Sequence, residues 1–272
     1  MNNIIFVQPV FCPNDTMFNK NMDSIRSWIK YCKIYGYTDW KMFITGYCAE
    51  DRYWADILNL FREELIPNVV FTKLDKNYGK AYAVNMTVRL NVLTNPEAWE
   101  YLLTCDSDII FDTEEPDIIR RGVQVFENWK DSKLGCISFA QKQYDCHLHE
   151  HLDGTMLVSG EKCSWSSKGG GIAGGCLLLT KDAWLRSGGY RIASVYGGDD
   201  ALLLQDIKTS GFKVIMSNSM AIIHPYNTPQ ETEYQHWKLI QCHENIVDGF
   251  GSTNNFEKHI NTADDFWKTQ KW

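Results

Sequence analysis

Residues 101–111 read YLLTCDSDIIF. Trp99 to Cys105 have the apolar, β-prone character of a buried strand, and the chain passes from them directly into Asp106, Ser107 and Asp108. Two carboxylates two residues apart at the end of a strand can leave a sheet edge together and share one divalent cation with a ligand diphosphate. Hard oxygen donors of this kind select Mg²⁺ or Mn²⁺. The same pattern also occurs as a plain solvated turn, so its meaning depends on the segments around it.

Upstream, strand and helix signals alternate. Ile4 to Val10 is a short apolar run. Met17, Met22, Ile25, Trp28, Ile29, Cys32 and Ile34 then recur at helical spacing up to Gly36. Trp40 to Tyr47 reads as a strand, Trp54 to Leu65 as a helix, Val69 to Leu74 as a strand and Ala81 to Leu93 as a helix. Downstream follow a helix at Ile118 to Trp129, a strand at Leu134 to Phe139, a strand at Cys176 to Thr180, a helix from Lys181 and a helix from Asp199 to Ser210. Val214 to Met216 and Ala221 to Ile223 read as two short closing strands, with a helical tail from about Pro229. The alternation predicts an α/β fold with a mostly parallel central sheet flanked by helices, which binds ligands at the carboxyl ends of its strands. Residues 141–167 lack periodicity and carry His147, His149 and His151. The stretch is too long for a simple connection and reads as a functional loop with room for a small hairpin.

Two further segments bear on the chemistry. Residues 169–184 read GGGIAGGCLLLTKDAW, too glycine-dense for packing alone and without the Lys-Ser/Thr ending of a phosphate loop. Residues 196–214 read YGGDDALLLQDIKTSGFKV: glycines, then Asp199 and Asp200 at a helix start, where carboxylates complement the helix dipole and can also be aimed into a cleft. In this order the three segments resemble the GT-A glycosyltransferases, family 2 above all, over roughly residues 4–226. The resemblance implies a single GT-A catalytic domain over 1–272, with a donor-nucleotide half at 1–108, an acceptor and catalytic half at 109–228 and a helical tail at 229–272. It implies that Asp106 and Asp108 hold the metal and the donor diphosphate, and that His224, after Ile222-Ile223, is a third metal ligand. It places the catalytic base on Asp200, with Asp199 beside it near the acceptor. Asn77-Tyr78-Gly79-Lys80-Ala81-Tyr82-Ala83-Val84-Asn85 resembles the family's donor-binding segment, with Lys80 near the donor's base or phosphates. Pro9, Gly174 and Gly175 complete the expected donor contacts.

One departure concerns the donor base. Where relatives carry a uracil-reading Asp at the end of the second strand, this chain has Gly46-Tyr47, and Asp51 is the nearest substitute. The implied reaction is transfer of a hexose, glucose or a close relative, from a UDP-sugar with Mn²⁺ or Mg²⁺. Asp200 removes the acceptor proton and the anomeric centre inverts. A nucleotidyltransferase would place a basic glycine-rich loop after the first strand, where Gln8-Pro9-Val10-Phe11-Cys12 stands. A noncatalytic nucleotide- or glycan-binding module would not need the acids at 106, 108 and 200.

Composition narrows the setting. A net charge of −7 gives no global pull toward nucleic acid, though it leaves room for a local basic face. Nine cysteines without a CxxC pair read as reduced core thiols. Ile4 to Phe11 is too short for a secretory core, and no stretch reaches the roughly 20 apolar residues of a membrane span. The expected location is cytoplasmic, that of the host cell if a phage encodes the chain. Compactness and Asn, Lys and Tyr usage resemble the transferases with which T-even-type bacteriophages glucosylate hydroxymethylcytosine in double-stranded DNA. The expected acceptor is therefore that base or its attached glucose, with a cell-surface glycan or lipid-linked precursor as the alternative.

Overall fold

The computed structural model describes residues 4–37, 40–66, 68–94, 99–130, 133–143, 152–166, 172–192, 199–225 and 236. Within them nine strands form one sheet: β1 (Ile4–Cys12), β2 (Lys41–Cys48), β3 (Val69–Lys73), β4 (Tyr101–Cys105), β5 (Leu134–Lys142), β6 (Gly154–Val158), β7 (Glu161–Trp165), β8 (Cys176–Thr180) and β9 (Lys213–Ile223). The strand order is β3-β2-β1-β4-β8-β5-β9-β7-β6. The helices are α1 (Asp15–Tyr35), α2 (Asp51–Glu63), α3 (Gly79–Thr94), α4 (Ile118–Asn128), α5 (Lys181–Ser187) and α6 (Asp199–Thr209).

Alternation along the strands divides the core into two layers. Ile4, Phe6, Ile44 and Leu103 face α1, α2 and α4, packing on Trp28, Ile57 and Ile119. Ile5, Val7, Phe43 and Leu102 face the other way, onto Val84 of α3, Trp184 of α5 and Leu204 of α6. Each fully buried Leu, Ile or Phe contributes about 1.5–3 kcal/mol of transfer free energy, so both layers are needed to hold the sheet. All seven described cysteines are buried and free, as their apolar settings predict.

The sheet is mixed. β3, β2, β1 and β4 run parallel, but β8 enters antiparallel between β4 and β5. β9 is parallel to β5, and the β6–β7 hairpin joins antiparallel along β9. The non-periodic stretch 141–167 thus contains a hairpin that extends the main sheet. The two expected closing strands are one: residues 213–223 run continuously, with Ser217, Asn218 and Ser219 inside the strand.

This arrangement gathers the functional segments at one edge. The carboxyl ends of β1, β2, β4, β5 and β9 meet there, as do the amino end of antiparallel β8 and the amino ends of α3 and α6. α1 braces the turn after β4. Ser24 Oγ donates to Ile109 O, Phe111 N donates to Ser27 Oγ at 3.0 Å, and Gln8 of β1 donates to Ser24 Oγ at 2.6 Å. Asn21 pins the end of β1, accepting from Phe11 N at 3.2 Å and donating to Phe11 O at 3.1 Å.

Candidate functional site

Lys80, in the first turn of α3, is the centre of the site. Its ammonium lies 2.7 Å from Asp106 Oδ1 and 2.8 Å from Asp200 Oδ1, joining residues 120 positions apart in the chain. The Lys80 side chain is only 15 % exposed. Burial disfavours its charge, but Asp106 and Asp200 together hold its pKa well above the usual lysine value. Tyr190, just after α5, donates its hydroxyl to Asp200 Oδ1 at 3.2 Å, and its ring centroid is 5.6 Å from the Lys80 ammonium. Asn85, one turn along α3 from Lys80, clamps the Tyr190 backbone, accepting from its N at 2.9 Å and donating to its O at 2.6 Å.

Burial pushes the Asp200 carboxyl up to about 7; the charges of Asp199 and Asp106 add to this and Lys80 opposes it. Asp199, its helical neighbour, is partly buried.

A second group adjoins the first. His224, just past β9, has Nε2 3.5 Å from Asp108 Oδ1, and its Nδ1–H donates to Gln141 Oε1 at 3.1 Å. That second bond directs Nε2 at the carboxylate, the arrangement that orients a metal-ligating histidine. Burial opposes the charge of each partner, yet pairing prevails: His224 is raised above its usual value and Asp108 is lowered. The pair offers a hard oxygen and an imidazole nitrogen, which fits a divalent ion. Asp106 lies on the same turn, but its carboxylate is engaged by Lys80. Among the described residues no three His, Cys, Asp or Glu side chains converge closely enough to enclose an ion.

The expected glycines are there for space. A Cβ on Gly174 would fall 2.1 Å from Asp200 Cβ and 2.2 Å from its Cγ. One on Gly175 would fall 2.4 Å from Gln141 Nε2 and 3.3 Å from Asp106 Oδ2. Gly175 also takes the Asp106 N–H on its carbonyl at 2.7 Å, fixing the β4 turn to the start of β8.

Two expected donor contacts remain, one on β1 and one at the start of α2. Pro9 is buried within β1, opposite Thr45 of β2. Asp51 opens α2 beyond the end of β2; its side chain is 95 % exposed and paired with Lys73. Gly46 has a packing reason to lack a side chain, because a Cβ there would lie 1.9 Å from Val10 O. Beside it, Phe11 and Tyr47 stack at the ends of β1 and β2, ring centroids 6.3 Å apart at 29°. His147, His149, His151, Gly169 to Gly171, Gly197, Gly198 and the tail from Pro229, His236 excepted, lie outside the described residues. Sequence reading passed over Tyr190, Gln141 and the clamping role of Asn85. The available signal was Gly188-Gly189 before Tyr190, a turn ahead of an aromatic residue.

No family model matches the sequence, and no curated protein does. Among solved structures, the mannosyltransferase PcManGT from Pyrobaculum calidifontis, in complex with GDP-Man and Mn²⁺, is similar with a TM-score of 0.62 at 12 % identity, covering 97 % of this chain and 69 % of that one. GalNAc-T7, with UDP, GalNAc and Mn²⁺, is similar with a TM-score of 0.61 at 13 % identity, covering 83 % of this chain and 44 % of that one. The fold is therefore the GT-A α/β fold, with a mixed sheet flanked by helices. No helix among the described residues is long and apolar enough to cross a membrane.

Proposed function

We propose that this chain is a metal-dependent glycosyltransferase that moves a sugar from a nucleoside diphosphate donor to a hydroxyl acceptor, with Asp200 as the general base. One observation carries the reading. Asp106, Asp108, Lys80, Asp200 and His224, from four separate segments, meet at the carboxyl edge of a GT-A sheet, and Gly174 and Gly175 leave room for them.

Asp108 and His224 would hold a Mn²⁺ or Mg²⁺ ion, with Asp106 beside them. Such an ion, when bound, stabilises charge on the leaving diphosphate. Lys80 supplies a fixed positive charge for the donor phosphates at the start of α3, where the helix dipole adds to it. Asp200 accepts the acceptor's proton, Tyr190 and Lys80 orient its carboxylate, and Asp199 positions the acceptor hydroxyl. A single base that takes the acceptor's proton fits direct displacement at the anomeric carbon, hence inversion.

For the donor we propose a UDP-hexose, with Phe11 and Tyr47 as the flat surface against which the base lies and Asp51 and Lys73 at its rim. The two similar structures bind donors with different bases, so base choice on this fold rests with residues particular to each chain. For the acceptor we propose hydroxymethylcytosine, or glucose already attached to it, in bacteriophage DNA, on the strength of the compositional resemblance. Mass spectrometry of hydroxymethylated DNA, of glycans and of lipid-linked precursors after incubation with UDP-glucose and Mn²⁺ tests this choice. Transfer to a glycan or lipid with none to DNA would overturn it.

The cluster itself can be tested by Gly174→Ala. A methyl group inside the Asp200 side-chain volume should displace that carboxylate from Lys80 and lower kcat, while circular dichroism and donor affinity change little. Wild-type turnover in this variant would show that the packing of Gly174 on Asp200 does not matter to catalysis.

A further inference from the structure

The strand that delivers His224 contains an excursion. β5 and β9 stay in register from Cys136 opposite Val214 to Phe139 opposite Ser217, but the next pair is Ala140 with Ala221, and Lys142 ends opposite Ile223. Residues 218–220 are extra. In unbroken register Lys142 would face Met220, and His224 would lie three residues farther along, about 10 Å at the rise of a strand. Instead His224 N donates to Lys142 O at 3.0 Å, and Ile110 and Ile223 exchange backbone hydrogen bonds at 2.8 and 2.9 Å. These bonds set the imidazole against Asp108.

The excursion is fastened by charged groups outside the site. Arg121 of α4 grips Glu161 with two parallel bonds, Nε to Oε1 at 2.7 Å and Nη2 to Oε2 at 2.6 Å. Arg121 Nη2 also donates to Ser219 O at 3.0 Å, and Ser219 Oγ donates to Glu161 Oε2 at 2.6 Å. Lys162 N donates to Ser219 Oγ at 3.1 Å, and Asn218 Nδ2 donates to Ser164 Oγ at 2.8 Å. Glu161 is 7 % exposed; burial alone would raise its pKa, and Arg121 and Ser219 hold it below the usual value. A buried ion pair adds little net stability over apolar residues of similar volume, and its best use is to fix one arrangement. Here it ties α4, the hairpin and the excursion to a single register.

We propose that Arg121, Glu161 and Ser219 form a positioning clamp for His224, setting the β9 register that brings the imidazole to Asp108. The functional weight of this placement rests on the reading of the Asp108–His224 pair given above. The variant Arg121→Met/Glu161→Gln removes both charges with little change in volume, and Ser219→Ala loosens the clamp while keeping them. Histidine side chains labelled with ¹³C report the outcome by NMR, with His224→Ala identifying the His224 signal. In metal-free wild type, Asp108→Asn should shift that signal; in the clamp variant it should not. Added Mn²⁺ should broaden the signal in wild type, and the midpoint should rise about 10–100-fold in the clamp variant, as for loss of a group that orients a ligand. Combining the clamp variant with His224→Ala should bring no further loss. A folded clamp variant that keeps the Asp108→Asn response, or that weakens Mn²⁺ binding further on top of His224→Ala, overturns the proposal. Should the charge-free pair fail to fold, Ser219→Ala decides by the same comparison. If Mn²⁺ leaves the wild-type His224 signal untouched, the metal reading fails, and the metal-free comparison still decides on the clamp.

Discussion

Asp200→Asn should lower kcat by about 10²–10⁴-fold while donor and Mn²⁺ affinity stay near wild type, because the amide matches the carboxylate in size and cannot accept a proton. The fold should survive, since Lys80 keeps Asp106 as a partner at 2.7 Å. Asp199→Asn provides the internal comparison. Both substitutions remove one charge from the first turn of α6, and a helix-dipole role alone would give two similar effects of about 0.3–1 kcal/mol. The base reading instead expects a small loss at Asp199, seen mainly in acceptor KM. If Asp199→Asn were the more damaging to turnover, the base would move to that residue. If neither mattered, the mechanism would lose its base. The pH profile gives a second check. The Asp200 carboxyl is pushed up to about 7, chiefly by burial. As pH falls through that value, a growing share of Asp200 already carries a proton, and kcat/KM should decline by up to about tenfold per unit. The residual activity of Asp200→Asn should be flat over the same range.

Asp106→Ala should abolish Mn²⁺-dependent donor binding, measured by calorimetry with the nucleotide sugar. The variant loses a carboxylate next to the Asp108–His224 pair and also releases Lys80 to Asp200 alone. Burial and the Asp106 charge both raise the Asp200 pKa, so removing Asp106 should lower it. The base would then be ionised but without a donor to work on. Asp108→Ala should weaken Mn²⁺ binding in the same way without touching Lys80. Near-normal turnover in either variant would remove these acids from the metal assignment.

Much of this site was legible in the sequence, for a physical reason. The side chains that come together here follow strand ends and helix starts, and both are marked locally: Asp106 and Asp108 by the apolar run before them, Asp200 by glycines and an apolar helix, His224 by Ile222-Ile223. Partners that merely orient these groups carry no such mark. Gln141 sits in a strand end that reads as ordinary polar surface, and Asn85 is one polar residue among several on α3. The reversal of β8 was also hidden, because Cys176-Leu177-Leu178-Leu179-Thr180 is equally apolar read in either direction. Ser217-Asn218-Ser219 is polar, and the apolar runs on either side of it read as two short strands. In the fold those polar side chains bond back onto the excursion and the hairpin, so the strand continues through them.

The crowding at Gly46 bears on how donor preference could be redesigned. Installing an acid at that position to favour uracil would drive a side chain into the Val10 carbonyl and separate β1 from β2, so a library built there would return misfolded protein rather than altered selectivity. Positions 47, 51 and 73 border the same end of the sheet without that obstruction, and the exposed Asp51 is held there only by its pairing with Lys73. Mutagenesis aimed at exchanging one nucleotide for another should begin with those three.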